Sequence, residues 1–142
     1  MTTNPILMAS IIAWFLAQSI KVALTFWVEK EIDFRRFVGS GGMPSSHTAF
    51  VFALAVGVGR QVGWSSAEFA IAVVLALIVM YDAAGVRRAV GNQAEVLNKI
   101  IDEFFHKGKF HEERLKELLG HTPKEVFAGA LLGAVVAWFF VG

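Results

Sequence analysis

Long apolar stretches decide what this chain can fold into. Four of them, at approximately residues 5–28, 44–60, 67–84 and 123–141, make up more than half of the 142 residues. A helix needs roughly 20 apolar residues to cross the ~30 Å hydrocarbon layer of a bilayer. With a mean hydropathy of +0.57 and 18% charged residues, the chain is too apolar for an ordinary soluble domain. The sequence therefore predicts one all-α domain, an integral membrane bundle with about four transmembrane helices.

Two further features of the sequence narrow the kind of protein this can be. The chain has no cysteine, which excludes disulfides, zinc–thiolate centres and a cysteine nucleophile. The first apolar stretch has no basic segment before it and no small-residue cleavage site after it. We therefore expect it to remain as a membrane span and not to act as a cleaved signal peptide.

The third stretch is followed by an amphipathic segment. Apolar residues recur at three-to-four spacing through Val86–Phe105, which indicates a helix that leaves the bilayer and lies along its surface. Such a helix could gate the access of lipids. A short charged helix is predicted over Glu112–Leu119.

The fourth stretch begins with a strong helix-start signal. Thr122, Pro123 and Glu125 occupy the N-cap, N1 and N3 positions of a capping box. Further along, Gly129 and Gly133 form a small-residue face that suits close helix packing within one subunit or between two copies in a homo-oligomer.

The basic residues are distributed unevenly between the connections. Three lie between the first two spans and eight between the end of the third span and the first turn of the fourth, whereas Arg60, at the end of the second span, is the one basic residue near the middle connection. The positive-inside rule then predicts a cell-membrane protein with both termini outside. This topology brings the loop before the second span and the start of the fourth span to one cytoplasmic face.

The loop before the second span has the composition of an anion site. Glycines at 39, 41 and 42 precede Pro44, Ser45, Ser46 and His47, and an apolar helix follows at once. Free backbone N–H groups and the positive end of a helix dipole both favour phosphate. Lys21, inside the first span, either extends to the headgroups or faces inward toward this site.

Two histidines, His47 and His121, each stand at the start of an apolar helix on the same predicted face. Glu125 lies four residues after His121, within reach of its ring N–H, and Arg87 and Arg88 offer forked donors for phosphate. Phosphoryl transfer through a phosphohistidine needs such a set. Simpler interpretations stay open: helix caps for Ser45, His121 and Glu125, and positive-inside anchors for the arginines. His106 and His111 are expected to be solvated surface residues.

Three segments resemble one known family. The sequences GGMPSSH, YDAAGVRR and GHTPKEV are similar to those of the divergent branch of the type 2 phosphatidic acid phosphatase superfamily, which includes the vanadium-dependent haloperoxidases. Pro44–His47 resembles the superfamily motif P-S-G-H, with Ser46 in place of glycine. His121–Glu125 resembles the end of the motif S-R-x5-H-x3-D, with glutamate in place of aspartate. About thirty residues separate Arg88 from His121, where the superfamily has five.

The resemblance implies roles for the candidate residues. His121 would be the nucleophile, Glu125 its orienting partner and His47 the general acid or base. Phosphate would be bound by Arg87 or Arg88 with Ser45, Ser46 and the N–H groups of the loop, including that of Gly42. Lys21 is a candidate for the lysine of the superfamily's first motif.

We therefore expect a metal-independent membrane phosphatase without a cofactor and without a nucleic-acid partner. Its substrate would be a phospholipid phosphate or an isoprenoid diphosphate. Two alternatives stay open. One is a metal-dependent phosphotransferase that uses the carboxylates of Asp82, Glu95, Asp102 and Glu103. The other is a non-catalytic protein that binds lipid phosphates.

Overall fold

Helices account for all the regular secondary structure in the described part of the chain. The computed structural model describes residues 4–29, 42–105 and 121–142, and for residues 28–29, 86–89 and 102–105 it describes the backbone alone. The α-helices are α1 (Pro5–Glu29), α2 (Ser46–Gln61), α3 (Ala67–Tyr81), α4 (Arg87–Phe105) and α5 (Pro123–Phe140). The predicted all-α membrane bundle is confirmed. The predicted helix over Glu112–Leu119 lies outside the described residues.

Within the described residues, three helical segments are long and apolar enough to cross a membrane. They are Pro5–Trp27, Ala67–Ile101 and Pro123–Phe140. The helix α2 has 16 residues and is therefore about 24 Å long at ~1.5 Å per residue, shorter than the ~30 Å hydrocarbon layer. It packs against α1, α3 and α5. The second predicted span, at residues 44–60, thus corresponds to a shorter helix that packs against the three longer ones, and its assignment as a span stays a prediction.

The centre of the bundle is built from small residues. On α1, Ala9, Ala13 and Ala17 recur every four residues, and each is fully buried. They pack with Ala49 and Ala53 of α2 in one apolar cluster. Alanine at this spacing presents a smooth stripe, so the helix axes come close together.

The closest approach is between α2 and α5. A Cβ atom built on Gly129 would lie 2.4 Å from the carbonyl oxygen of Ser45, and one on Gly133 would lie 2.4 Å from the carbonyl oxygen of Ala49. Only glycine fits against backbone at these distances. The small-residue face that the sequence assigned to packing within a subunit or between copies is therefore used within the subunit.

The helices α3 and α4 form one continuous rod. A π-helical turn at Asp82–Val86 joins them. On α4, Val96, Leu97 and Ile100 remain exposed, whereas Ala94 and Asn98 are buried. The predicted amphipathic helix is confirmed. Its connection to the third span through a π-helical turn was not predicted.

The other end of the bundle is closed by an arginine. Nε of Arg60, in the last turn of α2, donates a hydrogen bond to the carbonyl oxygen of Val141 at 2.7 Å. The guanidinium carbon also lies 4.1 Å from the centre of the Trp138 ring. This cation–π contact and the hydrogen bond tie the C-terminal end of α5 to α2.

We expect Gly133→Ala to lower the free energy of unfolding by about 1–3 kcal/mol, because the added methyl group meets backbone that cannot rotate away. Thermal unfolding of the purified protein in detergent measures the effect. Gly85→Ala is the matched control, since a Cβ at Gly85 meets no atom within 4 Å. Equal unfolding midpoints for the two variants would contradict the close α2–α5 contact.

Candidate active site

The start of α2 is fixed by a buried hydroxyl pair. Ser45 is the N-cap, and its Oγ accepts hydrogen bonds from the Thr48 N–H at 3.4 Å and from the Thr48 Oγ1–H at 3.0 Å. Both residues are completely buried. Because the cap is satisfied from within the first turn, the backbone around Ser46 and His47 is held in one conformation. His47 itself is half-buried.

The start of α5 carries the predicted capping box. The Thr122 hydroxyl accepts from the Glu125 N–H at 3.4 Å, and Glu125 Oε2 accepts from the Thr122 N–H at 2.9 Å. The reciprocal pair and Pro123 in the first turn confirm the predicted helix start. The start of α5 therefore holds the carboxylate of Glu125 in place by local hydrogen bonds.

The same carboxylate oxygen reaches the imidazole of His121. Nδ1 of His121 lies 3.2 Å from Glu125 Oε2, so the contact expected from their i, i+4 spacing is present. An ionised carboxylate can only accept a hydrogen bond, and the proton therefore sits on Nδ1. This tautomer leaves the lone pair on Nε2, the atom that a nucleophilic histidine would use. The His121 side chain is 1% exposed.

Backbone hydrogen bonds join the segments that carry the two histidines. The Ser45 N–H donates to the Glu125 carbonyl at 2.9 Å, and the His121 N–H donates to the Ala83 carbonyl at 2.9 Å. The imidazole rings of His47 and His121 are then 6.2 Å apart between centroids, inclined by 58°.

Lys21 faces inward and completes the cluster. The residue is 3% exposed, and among the described residues its Nζ has no hydrogen-bond partner. The ammonium is close enough to Glu125 to interact electrostatically. Gly42, at φ +84°, covers the lysine stem, because a Cβ there would lie 3.2 Å from Lys21 Cγ. Of the two positions that the sequence allowed for Lys21, the structure has the buried one.

The remaining candidates are distributed as follows. Ser46 is buried next to the site, at 2% exposure. Arg87 and Arg88 are the first residues of α4, and their side chains lie outside what the structure describes, as do those of Asp102 and Glu103. Within the described ranges, no three acidic, histidine or cysteine side chains cluster as metal ligands. Glu95 instead pairs with Lys99 at 2.7 Å on the surface.

Sequence reasoning missed three contributors to the site. The Ala83 carbonyl holds the His121 backbone, Thr48 holds the Ser45 hydroxyl, and Gly129 lets α5 approach the Ser45 carbonyl. A backbone carbonyl in a π-helical turn leaves no mark in the side-chain pattern. Gly129 was recognised in the sequence as part of a small-residue face, but the pattern did not show that this face would pack against α2.

Long apolar helices around a buried histidine, a buried lysine and a half-buried glutamate define a helical membrane protein with a polar site. The sequence profile of the Divergent PAP2 family matches residues 2–136. The "Uncharacterized membrane protein YuiD" of Bacillus subtilis (strain 168) is 44% identical over 154 aligned positions, which cover 98% of each chain. The chain therefore belongs to the Divergent PAP2 family, and the resemblance found in its motifs is confirmed. No solved structure matches it.

We expect Lys21→Met to raise the free energy of unfolding by roughly 1–2 kcal/mol, because it removes a buried charge and keeps the length of the side chain. Thermal unfolding in detergent measures the change. Lys124→Met, at an exposed position in the first turn of α5, serves as the control and should shift the midpoint little. A lower free energy of unfolding for Lys21→Met would mean that the ammonium group stabilises the fold, which would contradict this prediction.

Proposed function

We propose that the protein is a metal-independent phosphatase that removes phosphate from a membrane lipid through a phosphohistidine at His121. The observation that carries this proposal is the contact of 3.2 Å between Nδ1 of His121 and the Glu125 carboxylate, with the His47 ring 6.2 Å away. These distances support His121 as nucleophile, Glu125 as its orienting partner and His47 as the acid and base, the set that covalent phosphoryl transfer requires. Membership of the Divergent PAP2 family supports the same reaction class.

In the first step, Nε2 of His121 attacks phosphorus and the bond from phosphorus to the lipid oxygen breaks. His47, protonated, gives its proton to that oxygen, and the lipid alcohol leaves. Glu125 accepts the Nδ1–H throughout, so it stabilises the cationic ring that forms as Nε2 gains phosphorus. The burial of His121 strengthens this interaction, because water does not screen it.

In the second step, water attacks the phosphohistidine. His47, now neutral, takes a proton from this water, and the bond between phosphorus and Nε2 breaks to release inorganic phosphate. The free His121 regains its neutral form with the proton on Nδ1. One histidine thus serves as acid and then as base, and the enzyme returns to its starting state.

Binding of the phosphate oxygens falls to Lys21 and to backbone donors. The buried ammonium has lost its hydration, so an anion beside it would replace those interactions. The N-terminus of α2 adds its dipole on the same side. Arg87 and Arg88 are proposed to supply the remaining charge, as the superfamily resemblance implies. We further propose that the site faces the cytoplasm, on the distribution of basic residues.

His121→Ala should abolish the release of inorganic phosphate from lipid phosphates in detergent micelles, because it removes the Nε2 atom that would attack phosphorus. Trapping with radiolabelled substrate should give an acid-labile protein phosphate in the wild type and none in the variant. His106→Ala, at a histidine that the sequence assigns to the solvated surface, is the control. Full phosphate release by His121→Ala would overturn the proposal.

Glu125→Gln should lower kcat by roughly 10²–10⁴-fold and leave the unfolding midpoint almost unchanged. The amide oxygen can still accept the Thr122 N–H and so preserve the helix cap, but the negative charge opposite the imidazole is lost. Glu125→Ala removes both and should lower activity and stability together. If Glu125→Gln keeps wild-type kcat, the carboxylate is only a cap.

The same assays separate the alternatives. Retention of lipid phosphates without phosphate release would favour a non-catalytic binding protein. Release that stops with EDTA and returns with Mg²⁺ would favour a metal-dependent phosphotransferase. Metal-insensitive release that vanadate inhibits, as a phosphate analogue should, would agree with the proposed mechanism.

A further inference from the structure

Gln18 is a buried polar side chain that the proposed mechanism does not use. It lies on α1 within Pro5–Trp27, a segment long and apolar enough to cross a membrane, and is 4% exposed. An amide in such surroundings costs free energy unless polar groups replace its hydration, and polar residues inside membrane helices often have a function. The serines of α1 need no such explanation, because Ser10 and Ser19 each donate a hydrogen bond to a carbonyl of their own helix.

The position of Gln18 along α1 places it at the polar site. It follows Trp14 by four residues and precedes Lys21 by three, which corresponds to about 6 Å and about 4.5 Å along the helix axis. At about 100° per residue, the three side chains lie within an arc of about 60°. Gln18 therefore shares one face of α1 with Trp14 and Lys21 and lies between them.

Both neighbours on this face belong to the site. The ammonium of Lys21 is close enough to Glu125 to interact electrostatically. Trp14 lines a cavity of about 360 Å³ that His47 also lines. A cavity of this size has room for water. Gln18 thus lies between the proposed phosphate ligand and the cavity beside the proposed acid and base.

The water that hydrolyses the phosphohistidine needs acceptors for both of its protons. Neutral His47 accepts one of them. The other described residues of the cavity lining are aromatic or aliphatic and offer no side-chain acceptor, and the ammonium of Lys21 can only donate. Glu125 Oε2 already accepts from Nδ1 of His121, on the side of the imidazole away from Nε2. Between Trp14 and Lys21, the carbonyl oxygen of the Gln18 amide is the acceptor that this face of α1 offers.

We propose that Gln18 orients the water that hydrolyses the phosphohistidine of His121. This inference rests on the proposed function. The oxygen of the water forms a bond to phosphorus as the bond from phosphorus to Nε2 breaks, and the electron pair of that bond returns to Nε2. One proton of the water passes to His47. The other stays on the phosphate oxygen and, before the attack, is donated in a hydrogen bond to Oε1 of Gln18. The amide neither gains nor loses a proton, and it acts by holding the water in line.

Gln18→Met tests this role, because it keeps the length of the side chain and removes its amide. The formation of phosphohistidine from radiolabelled phosphatidic acid in micelles should stay within about threefold of wild type, whereas its hydrolysis should slow at least about tenfold, since one hydrogen bond to the reacting water is lost. Rapid-quench measurements should therefore show a burst of released diacylglycerol and a labelled protein that persists. Oxygen exchange between inorganic phosphate and isotopically labelled water, which uses the same step in both directions, should fall by a similar factor.

Ser10→Ala is the matched control, because it also removes a buried polar group from α1, about two turns from Gln18. It should change neither the formation nor the hydrolysis of the phosphohistidine. Thermal unfolding in detergent checks that each variant is folded, and Gln18→Leu replaces Gln18→Met if that variant is not. A role of Gln18 in packing alone would lower the unfolding midpoint or slow both steps together, and would leave the ratio of the two rates unchanged.

The same measurements distinguish this inference from the proposed function. Accumulation of phosphohistidine in Gln18→Met and not in Ser10→Ala would support the inference. Equal hydrolysis rates in Gln18→Met and the wild type, or an equal slowing of both steps, would overturn it and leave the proposed function intact. A wild type that gives neither a labelled protein nor oxygen exchange would overturn the proposed function, and this inference with it.

Discussion

The contact of α5 with the backbone of α2 is the constraint on which the rest of the structure depends. Gly129 and Gly133 bring the helix so close that the Ser45 and Ala49 carbonyls occupy the space where side chains would be. At that distance the Ser45 N–H reaches the Glu125 carbonyl. The starts of two helices are therefore joined by backbone, and the two histidines that they carry acquire a fixed separation.

A polar site in an apolar bundle has to be satisfied from within. Water is scarce there, so each buried charge loses its hydration, and this costs free energy unless a polar partner takes the place of the water. The structure meets this demand with few groups. The Glu125 carboxylate caps α5, accepts from His121 and lies within electrostatic range of Lys21. One side chain thus serves folding and the proposed chemistry together.

Features that depend on short stretches of sequence, such as helices and their caps, could be predicted. Helices α1, α3 and α5 lie in three of the apolar stretches, although α3 ends at Tyr81 and a π-helical turn follows it within the same stretch. Thr122, Pro123 and Glu125 predicted the capping box. The pairing of His121 with Glu125 followed from helical spacing alone. The sequence did not predict the π-helical turn or the contact of His121 with the Ala83 carbonyl, since both depend on backbone geometry. Lys21 could not be placed either, because its orientation depends on which helices surround α1.

The proposed nucleophile, His121, is held by two separate parts of the fold and faces a third. Its ring is oriented by Glu125 in the first turn of α5, and its N–H is bound by Ala83 at the junction of α3 and α4. The opposing imidazole of His47 belongs to α2. Since π-helical turns occur often at functional sites, a carbonyl of this turn beside His121 fits that pattern. It also connects the junction of α3 and α4 directly to the backbone of His121. A displacement of α4 would therefore be transmitted to the His121 backbone through this hydrogen bond.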